Sequence, residues 1–415
     1  MIAALIFALA QVDGALPETQ AYTAWLVCPG GHIRFGLELA RTGPETWRAF
    51  LVNGEERIEV PRVERKGDQL LLDMPHYDSR ITATVSEPSG SALTGTWEKR
   101  RDREKVAQLP FHARVLSSTG PWRTPSEQTP LSGADVTGRW TARFEGEDET
   151  SIAVLRQDGS RLTGTFLTPT GDYRFLVGGV QATPVESQEM QNYLTTFTLS
   201  CFDGAHAFLF AGRYVDGKLW GDFWSGNWHH QTWKAERDES AQLADAFAQT
   251  KWNGTTKLAD LTFPDLDGRK HSLSEFAGKA TLLVVLGSWC PNCNDEAKLL
   301  AELDAKYRAR GLRILGLAFE LTGERERDAG QVRIFAQRHG LEIPFFLCGT
   351  ADKDEATKAL GLVDRVRAFP TTVFVGADGL PRAIHSGFAG PATGVEHQKL
   401  RREFQARIEA LLGPK

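Results

Sequence analysis

Five consecutive residues of this 415-residue chain, Trp289-Cys290-Pro291-Asn292-Cys293, stand where the apolar run from Thr281 to Gly287 gives way to a helical pattern. Two cysteines separated by two residues at a helix start make a dithiol that can close and reopen. The first sulfur lies beside the open N–H groups and positive end of the helix, which favours thiolate over thiol. The second lies one turn inside and can attack a mixed disulfide. No Lys, Arg or His lies between or just after the pair, so that stabilisation comes mainly from the helix end, and the neutral Pro-Asn dipeptide argues mildly for a reductase or exchanger rather than a strong oxidant. A Cys-x-x-Cys can also be half of a zinc site, which wants two more Cys or His ligands at short spacing. Cys28, Cys201 and Cys348 stand singly, and His271 and His339 lie about twenty or more residues from the pair, so redox chemistry is the preferred reading.

A second motif supports it. Arg367-Ala368-Phe369-Pro370-Thr371-Thr372-Val373-Phe374-Val375 places a proline directly before a short β-branched and aromatic strand, and Gly376-Ala377-Asp378-Gly379 then turns into Pro381-Arg382-Ala383-Ile384. In this order the two motifs resemble the thioredoxin fold. Within it the chain resembles the TlpA/ResA-like group of extracytoplasmic thiol-disulfide oxidoreductases, also labelled redoxin or AhpC/TSA-like, from Lys257 to Leu412. The resemblance extends to Phe263-Pro264-Asp265-Leu266-Asp267-Gly268 with Leu273 and Phe276, to Leu315-Gly316-Leu317-Ala318-Phe319-Glu320, and to His385-Ser386-Gly387-Phe388.

The resemblance implies a cis peptide bond before Pro370, facing the sulfurs, with the Phe369 backbone free to pair with an extended substrate strand. It implies that Cys290 attacks and Cys293 resolves, with Trp289 and Pro291 flanking the substrate. The buried acid that thioredoxin carries six residues before its first cysteine is replaced here by Val284. ResA-like chains instead place a glutamate three residues after the second cysteine, where Glu296 falls, one helical turn from Cys293 and placed to take up its proton. The plainer reading is that Asp295 and Glu296 complement the helix N-terminus. Glu320, at the carboxyl end of an apolar strand, could face the same cleft, because open α/β sheets gather their sites there. The implied partners are protein disulfides and a thiol electron donor, with no cofactor. One alternative is a peroxiredoxin-like peroxidase, disfavoured because Gly287-Ser288-Trp289 lacks the threonine that family places before its peroxidatic cysteine. Another is a client- or ligand-binding adaptor acting through the region before Lys251.

That region is of different material: tryptophan, glycine and alternating apolar residues, with little helical periodicity. A pattern recurs as Leu93-Thr94-Gly95-Thr96-Trp97, Leu162-Thr163-Gly164-Thr165-Phe166 and Leu219-Trp220-Gly221-Asp222-Phe223. Each follows a turn, with Asp158-Gly159 and Asp216-Gly217 favouring tight two-residue turns and Pro88-Ser89-Gly90-Ser91 a looser one. The expected architecture is therefore multidomain: an N-terminal all-β antiparallel, barrel-like region joined to a C-terminal α/β thioredoxin-like fold. Its divisions are a leader over 1–10, a β-rich domain over 16–115, a linker over 116–134, a second, lipocalin-like β domain over 135–236, a linker over 237–252 and the redox domain over 253–413.

Within these divisions Gly138-Arg139-Trp140 looks like a lipocalin-type opening. Trp220, Phe223, Trp224, Trp228 and Trp233 could line a binding mouth, although core packing is favoured. His229-His230 could bind metal, but adjacent strand residues point to opposite faces. Cys28 and Cys201 could pair, with two buried thiols preferred, and Cys348 is likewise read as a buried thiol. The stretch from Ala235 to Thr250 reads as a short helix. In the redox domain an entry hairpin precedes strand 281–287, helix 292–310, strand 312–319, helix 328–339, strand 343–347, helix 354–360, strands 371–376 and 382–386, and helix 395–412. Leu299, Leu300, Leu303 and Tyr307 mark the buried face of the first long helix, and Leu400, Phe404, Ile408 and Leu411 that of the last.

With 41% hydrophobic and 24% charged residues the composition is ordinary, and a net charge of -5 makes no electrostatic case for nucleic acid or an anionic membrane. No apolar run is long enough to span a bilayer. Met1 to Gln11 ends in Ala-x-Ala and fits the tail of a secretory leader cleaved after Ala10, with its basic start truncated, so the mature chain is expected in the periplasm or otherwise exported.

Overall fold

The computed structural model describes residues 19–86, 90–116, 133–185 and 192–414. The leader at 1–10, most of the linker at 116–134 and Pro88-Ser89 of the looser turn lie outside the described residues.

The first unit is an antiparallel sheet of nine strands: β1 (Thr19–Cys28), β2 (Gly31–Arg41), β3 (Trp47–Asn53), β4 (Glu56–Glu59), β5 (Arg62–Lys66), β6 (Gln69–Met74), β7 (Ser79–Val85), β8 (Ala92–Arg100) and β9 (Val106–Val115). Its order is β4-β3-β2-β1-β9-β8-β7-β6-β5, so the first strand pairs with the last and the rest run up and down to two edges. The sheet curves into a half-barrel around Tyr22, Phe35, Trp97 and Phe111.

The second unit contains β10 (Gly138–Phe144), β11 (Ser151–Asp158), β12 (Arg161–Thr168), β13 (Gly171–Asp172), β14 (Leu176–Val185), β15 (Asn192–Phe202), β16 (Ala207–Val215), β17 (Lys218–Ser225) and β18 (His229–Arg237). Pairing of β11 with β12 closes eight of these strands into a barrel, and the short β13 extends from β12 as a hairpin. The barrel is filled rather than hollow. Trp140, Phe144, Phe166, Phe210, Phe223 and Trp233 are all buried inside it, with Phe166 and Phe210 stacked at 4.4 Å. Of the five aromatics that could line a mouth but are favoured as core, Phe223 and Trp233 are core. Trp224 and Trp228 pack on the half-barrel, and Trp220 faces an outer groove of about 1060 Å³. His229 and His230 are exposed on opposite faces, and His230 stacks on Trp224.

The three repeats share one physical cause. A Cβ at Gly95, Gly164 or Gly221 would fall 2.0–2.2 Å from a carbonyl oxygen of the neighbouring strand, so only glycine permits the close approach, while Trp97, Phe166 and Phe223 two residues on fill the two cores. Asp216-Gly217 forms the expected two-residue turn, both at positive φ. The other turn is displaced by one residue: Asp158 pairs with Arg161, so the loop is Gly159-Ser160, with the glycine taking the left-handed first position.

The two β units are joined through buried contacts. Phe202 of the barrel packs against Phe35 and Trp97, and Asn53 exchanges two hydrogen bonds with the Phe202 backbone. Cys28 and Cys201 are buried free thiols, and Cys348 is a free thiol that is only half-buried.

The expected helix over 235–250 does not form. Strand β18 runs on to Arg237, and the following residues turn twice, with Asp238 and Asp245 side chains accepting backbone N–H groups two residues on. The segment straps the redox domain instead: Ser386 N–H donates to Ala246, and Phe247 packs on His385 and Phe404 beneath the Arg407 guanidinium.

The redox domain opens with the hairpin β19 (Thr262–Pro264) and β20 (Lys270–Ser272). It continues through β21 (Ala280–Leu286), α1 (Pro291–Tyr307), β22 (Leu312–Glu320), α2 (Arg325–His339), β23 (Phe345–Thr350), α3 (Lys353–Leu360), β24 (Thr371–Gly376), β25 (Pro381–Ser386) and α4 (Val395–Leu412). The sheet order is β23-β22-β21-β24-β25, with β21, β22 and β23 parallel and the last two antiparallel. Every residue of β21 is buried, as a central strand covered on both faces requires. Leu299, Leu300, Leu303 and Tyr307 turn into the core, as do Leu400, Phe404 and Ile408, while Leu411 is half-buried. Strand β23 begins after Pro344, two residues later than expected, because proline brings no N–H to a ladder. Among the described residues no helix is long and apolar enough to cross a membrane.

Candidate active site

Strand β21 ends in a loop that its own residues hold in place. Ser288 donates from its N–H and its hydroxyl to Glu320 at 2.8 and 2.6 Å, and the Trp289 indole donates to the Phe319 carbonyl at 2.9 Å. Asn294 donates to the carbonyls of both Ser288 and Cys290. Its own oxygen lies 2.8 Å from His339 Nε2, on a ring that burial keeps neutral down to about 4.

Helix α1 starts at this loop. Cys290 is its N-cap, with the sulfur accepting the Cys293 N–H at 3.4 Å, and Pro291 occupies the first helical position. The Cys290 thiol donates to the Phe369 carbonyl at 3.3 Å, across from the cis Phe369-Pro370 peptide. Trp289 and Phe369 meet edge to face at 5.6 Å. Both thiols are free, Cys290 being 6% and Cys293 2% exposed. Sequence motifs about eighty residues apart thus meet at one sulfur.

Burial pushes the Cys293 thiol well above its ordinary range, reinforced by its hydrogen bond with Cys290 and by the charges of Cys290 and Glu296. A thiol held protonated in this way would need a proton acceptor to act as a nucleophile. Glu296 is buried beside Cys293. One carboxylate oxygen accepts the Thr372 hydroxyl at 2.6 Å and the other has no hydrogen-bond partner, while burial raises the group to about 7 against the opposing effect of that hydrogen bond.

Glu320 reaches the same end of the sheet, but Ser288 occupies both its oxygens and it is 1% exposed. It braces the loop from behind instead of lining the cleft, and burial raises it to about 8. Pro291 and Pro370 are buried as well. Among the described residues no cluster of three or more His, Cys, Asp or Glu side chains is placed to hold a metal ion.

The β units cover this face. Arg174, just past β13, is buried among carboxylates of all three units: Glu56 of the half-barrel at 2.5 Å, Asp203 of the barrel at 2.9 Å and Asp295 of α1 at 2.5 Å. The Asp203 contact lies off the line of a hydrogen bond. Burial opposes the Arg174 charge, and the three carboxylates more than reverse it. Asp172 accepts the Gly390 N–H at 2.6 Å, and Gly171 lies so close to Asn292 that a Cβ would come within 2.1 Å of its amide. Arg327 of α2 pairs with Asp78 of the half-barrel.

Comparison with known proteins places the redox domain in a family. The AhpC/TSA family matches residues 255–383. The thiol-disulfide oxidoreductase ResA of Geobacillus thermodenitrificans (strain NG80-2) is 31% identical over 128 residues, which is 31% of this chain and 66% of that protein. The thioredoxin-like protein YneN of Bacillus subtilis (strain 168) is 30% identical over 31% of this chain and 68% of its own length. The chain belongs to the TlpA/ResA-like thioredoxin family. For some ResA relatives of this family, such as that of Bacillus thuringiensis (strain Al Hakam), the match spans 59% of their length. Among solved structures, a secreted Mycobacterium tuberculosis disulfide oxidoreductase homologous to E. coli DsbE aligns at 23% identity over 36% of this chain and 95% of its own, with a TM-score of 0.27. A thiol:disulfide interchange protein of Chlorobium tepidum TLS aligns at 17% identity over 42% and 100%, with a TM-score of 0.28.

Several residues of this TlpA/ResA-like site carried no role in the sequence. Ser288 and Thr372 stood inside the motifs with nothing to show what their hydroxyls bond. Asn294 and His339 meet across 45 residues. Arg174 and Asp172 come from a different unit and gave no local signal.

Proposed function

We propose that this chain is a thiol-disulfide oxidoreductase, a reductase or exchanger acting on disulfides of extracytoplasmic proteins. Cys290 thiolate attacks one sulfur of the substrate disulfide, forming a mixed disulfide and expelling the other substrate sulfur as thiolate. Glu296 takes the Cys293 proton, and the Cys293 thiolate then attacks Cys290 and releases the second substrate sulfur. The enzyme is left as the Cys290–Cys293 disulfide, which a thiol donor reduces. Phe369 and Pro370 dock the substrate backbone, with Trp289 and Pro291 beside them. Cys290 to Phe369 at 3.3 Å, with Cys293 backed by a buried carboxylate, is the observation that carries this reading. Export rests on the leader read in the sequence.

Cys293→Ser tests it. The variant should accumulate a Cys290-linked mixed disulfide with a disulfide-bonded protein, and Cys290→Ser should form none. Peroxide consumption that survives Cys293→Ser would replace this function with a peroxidase.

The adaptor reading keeps one supporting observation. Arg213, Trp220, Lys234 and Arg143 occupy adjacent positions on four neighbouring strands of the barrel's outer face, along the large groove, and Trp220 is 40% exposed. An acidic client segment would complement that row. Trp220→Ala with Lys234→Glu should weaken processing of an acidic client and leave small disulfides unaffected.

A further inference from the structure

The reactive sulfur in this protein is roofed. A disulfide within a polypeptide reaches Cys290 by laying its chain along Phe369, but the barrel hairpin at Thr170-Gly171-Asp172 already presses on that ground. Gly171 abuts Asn292 between the two cysteines. Gly387, whose N–H donates to the Pro370 carbonyl, lies so close to Thr170 that a Cβ there would come within 2.7 Å of its backbone. Asp172 ties down Gly390 from the same side. Lys99 of the half-barrel donates to the Ala205 carbonyl; burial lowers its pKa to about 8.

Two features mark this roof as separable. Its closest bonds are polar, centred on Arg174 with Glu56, Asp203 and Asp295, and such interfaces within a chain resemble transient ones. The closed arrangement also leaves Asn292 Oδ1 buried without a hydrogen-bond partner, next to the sulfurs, which disfavours closure and is relieved when solvent or a substrate backbone reaches it.

We infer that the barrel hairpin over residues 170–174 determines which disulfides reach Cys290, excluding polypeptide disulfides while Arg174 and Asp172 hold it down and admitting them once it lifts. This rests on the dithiol chemistry proposed above and adds its selectivity. The exchange is unchanged: one enzyme dithiol and one substrate disulfide become one enzyme disulfide and two substrate thiols. A substrate that requires the lifted state reacts in proportion to its population, so loosening the hairpin raises that rate alone.

The experiment is a single-turnover oxidation of the fully reduced, full-length protein by insulin and, separately, by bis(2-hydroxyethyl) disulfide. It compares the unsubstituted chain with Arg174→Gln and with the milder Asp172→Asn. The expected result is a rise of about tenfold or more in the insulin rate for at least one folded variant, with the small-disulfide rate changed less than about threefold. An unchanged insulin rate in Asp172→Asn and Arg174→Gln, both folded by circular dichroism, would overturn the selectivity. Failure of the unsubstituted protein to oxidise with either reagent would instead overturn the dithiol chemistry beneath it.

Discussion

The Thr372 hydroxyl donates a hydrogen bond to Glu296 Oε1 at 2.6 Å inside the redox domain, tying the strand after Pro370 to the helix that carries both cysteines. The bond stabilises a carboxylate that burial would otherwise keep protonated, so Glu296 rests at about 7, between proton donor and acceptor. In the proposed reaction Cys293 is the group that needs such a partner.

Replacing that carboxylate should slow resolution and spare the first attack. Glu296→Gln is expected to lengthen the life of the mixed disulfide by about 10²-fold, the lower end of the range for general-base loss. Rapid-quench gels with a disulfide peptide would show it, and an unchanged lifetime would remove Glu296 from the mechanism.

Thr372→Val removes the bond that lowers Glu296, so the carboxyl should titrate higher than about 7. The pH profile of resolution should then move to higher pH, whereas a purely structural loss would lower the rate without moving the profile.

The stability that Glu296 and Glu320 contribute should fall with rising pH. Glu296 and Glu320 are raised by burial to about 7 and about 8 from ordinary values of 4.5. Between those limits the unfolded chain has released protons the folded chain keeps, so each step up in pH favours unfolding. Glu296 alone accounts for about 3 kcal/mol across that span. His76, His339 and His385, which burial holds neutral, act in the opposite direction below about pH 6.5, so the comparison isolates Glu296: in urea melts at pH 5 and pH 8.5 the parent should lose more stability, or gain less, than Glu296→Gln.

Arg174→Met leaves three carboxylates around an uncharged side chain. The loss is expected to be about 3–5 kcal/mol, the cost of breaking a buried ion pair from one side. It should show as an earlier urea transition, and a midpoint within error of the parent would mean that the cluster holds nothing together.

Core truncation gives a separate measure of the redox domain. Leu303 is 1% exposed on the buried face of α1, so Leu303→Ala should cost about 2–5 kcal/mol in urea melts.

The dithiol and its strand-loop-helix setting were legible because each is local: an apolar run, a turn, a cysteine at a helix cap; the proline that faces it came from the family resemblance. Periodicity likewise placed Leu299, Leu300 and Leu303 in the core, since a helix face is written every three or four residues. The segment over 235–250 misled because alanine and charge suit a helix, and only the edge strand it straps makes an extended path better. Glu320 misled for a similar reason: its position at the strand end was right, but the Ser288 groups that turn it away from the cleft come from the loop after β21.

What the sequence determined by itself was the chemistry and the type of each domain, because bonded neighbours and alternating patterns encode them. The roof over Cys290 was decided by tertiary structure alone. Arg174 meets Asp295 across 121 residues, and no local pattern records which charges will share a buried site once three units pack together.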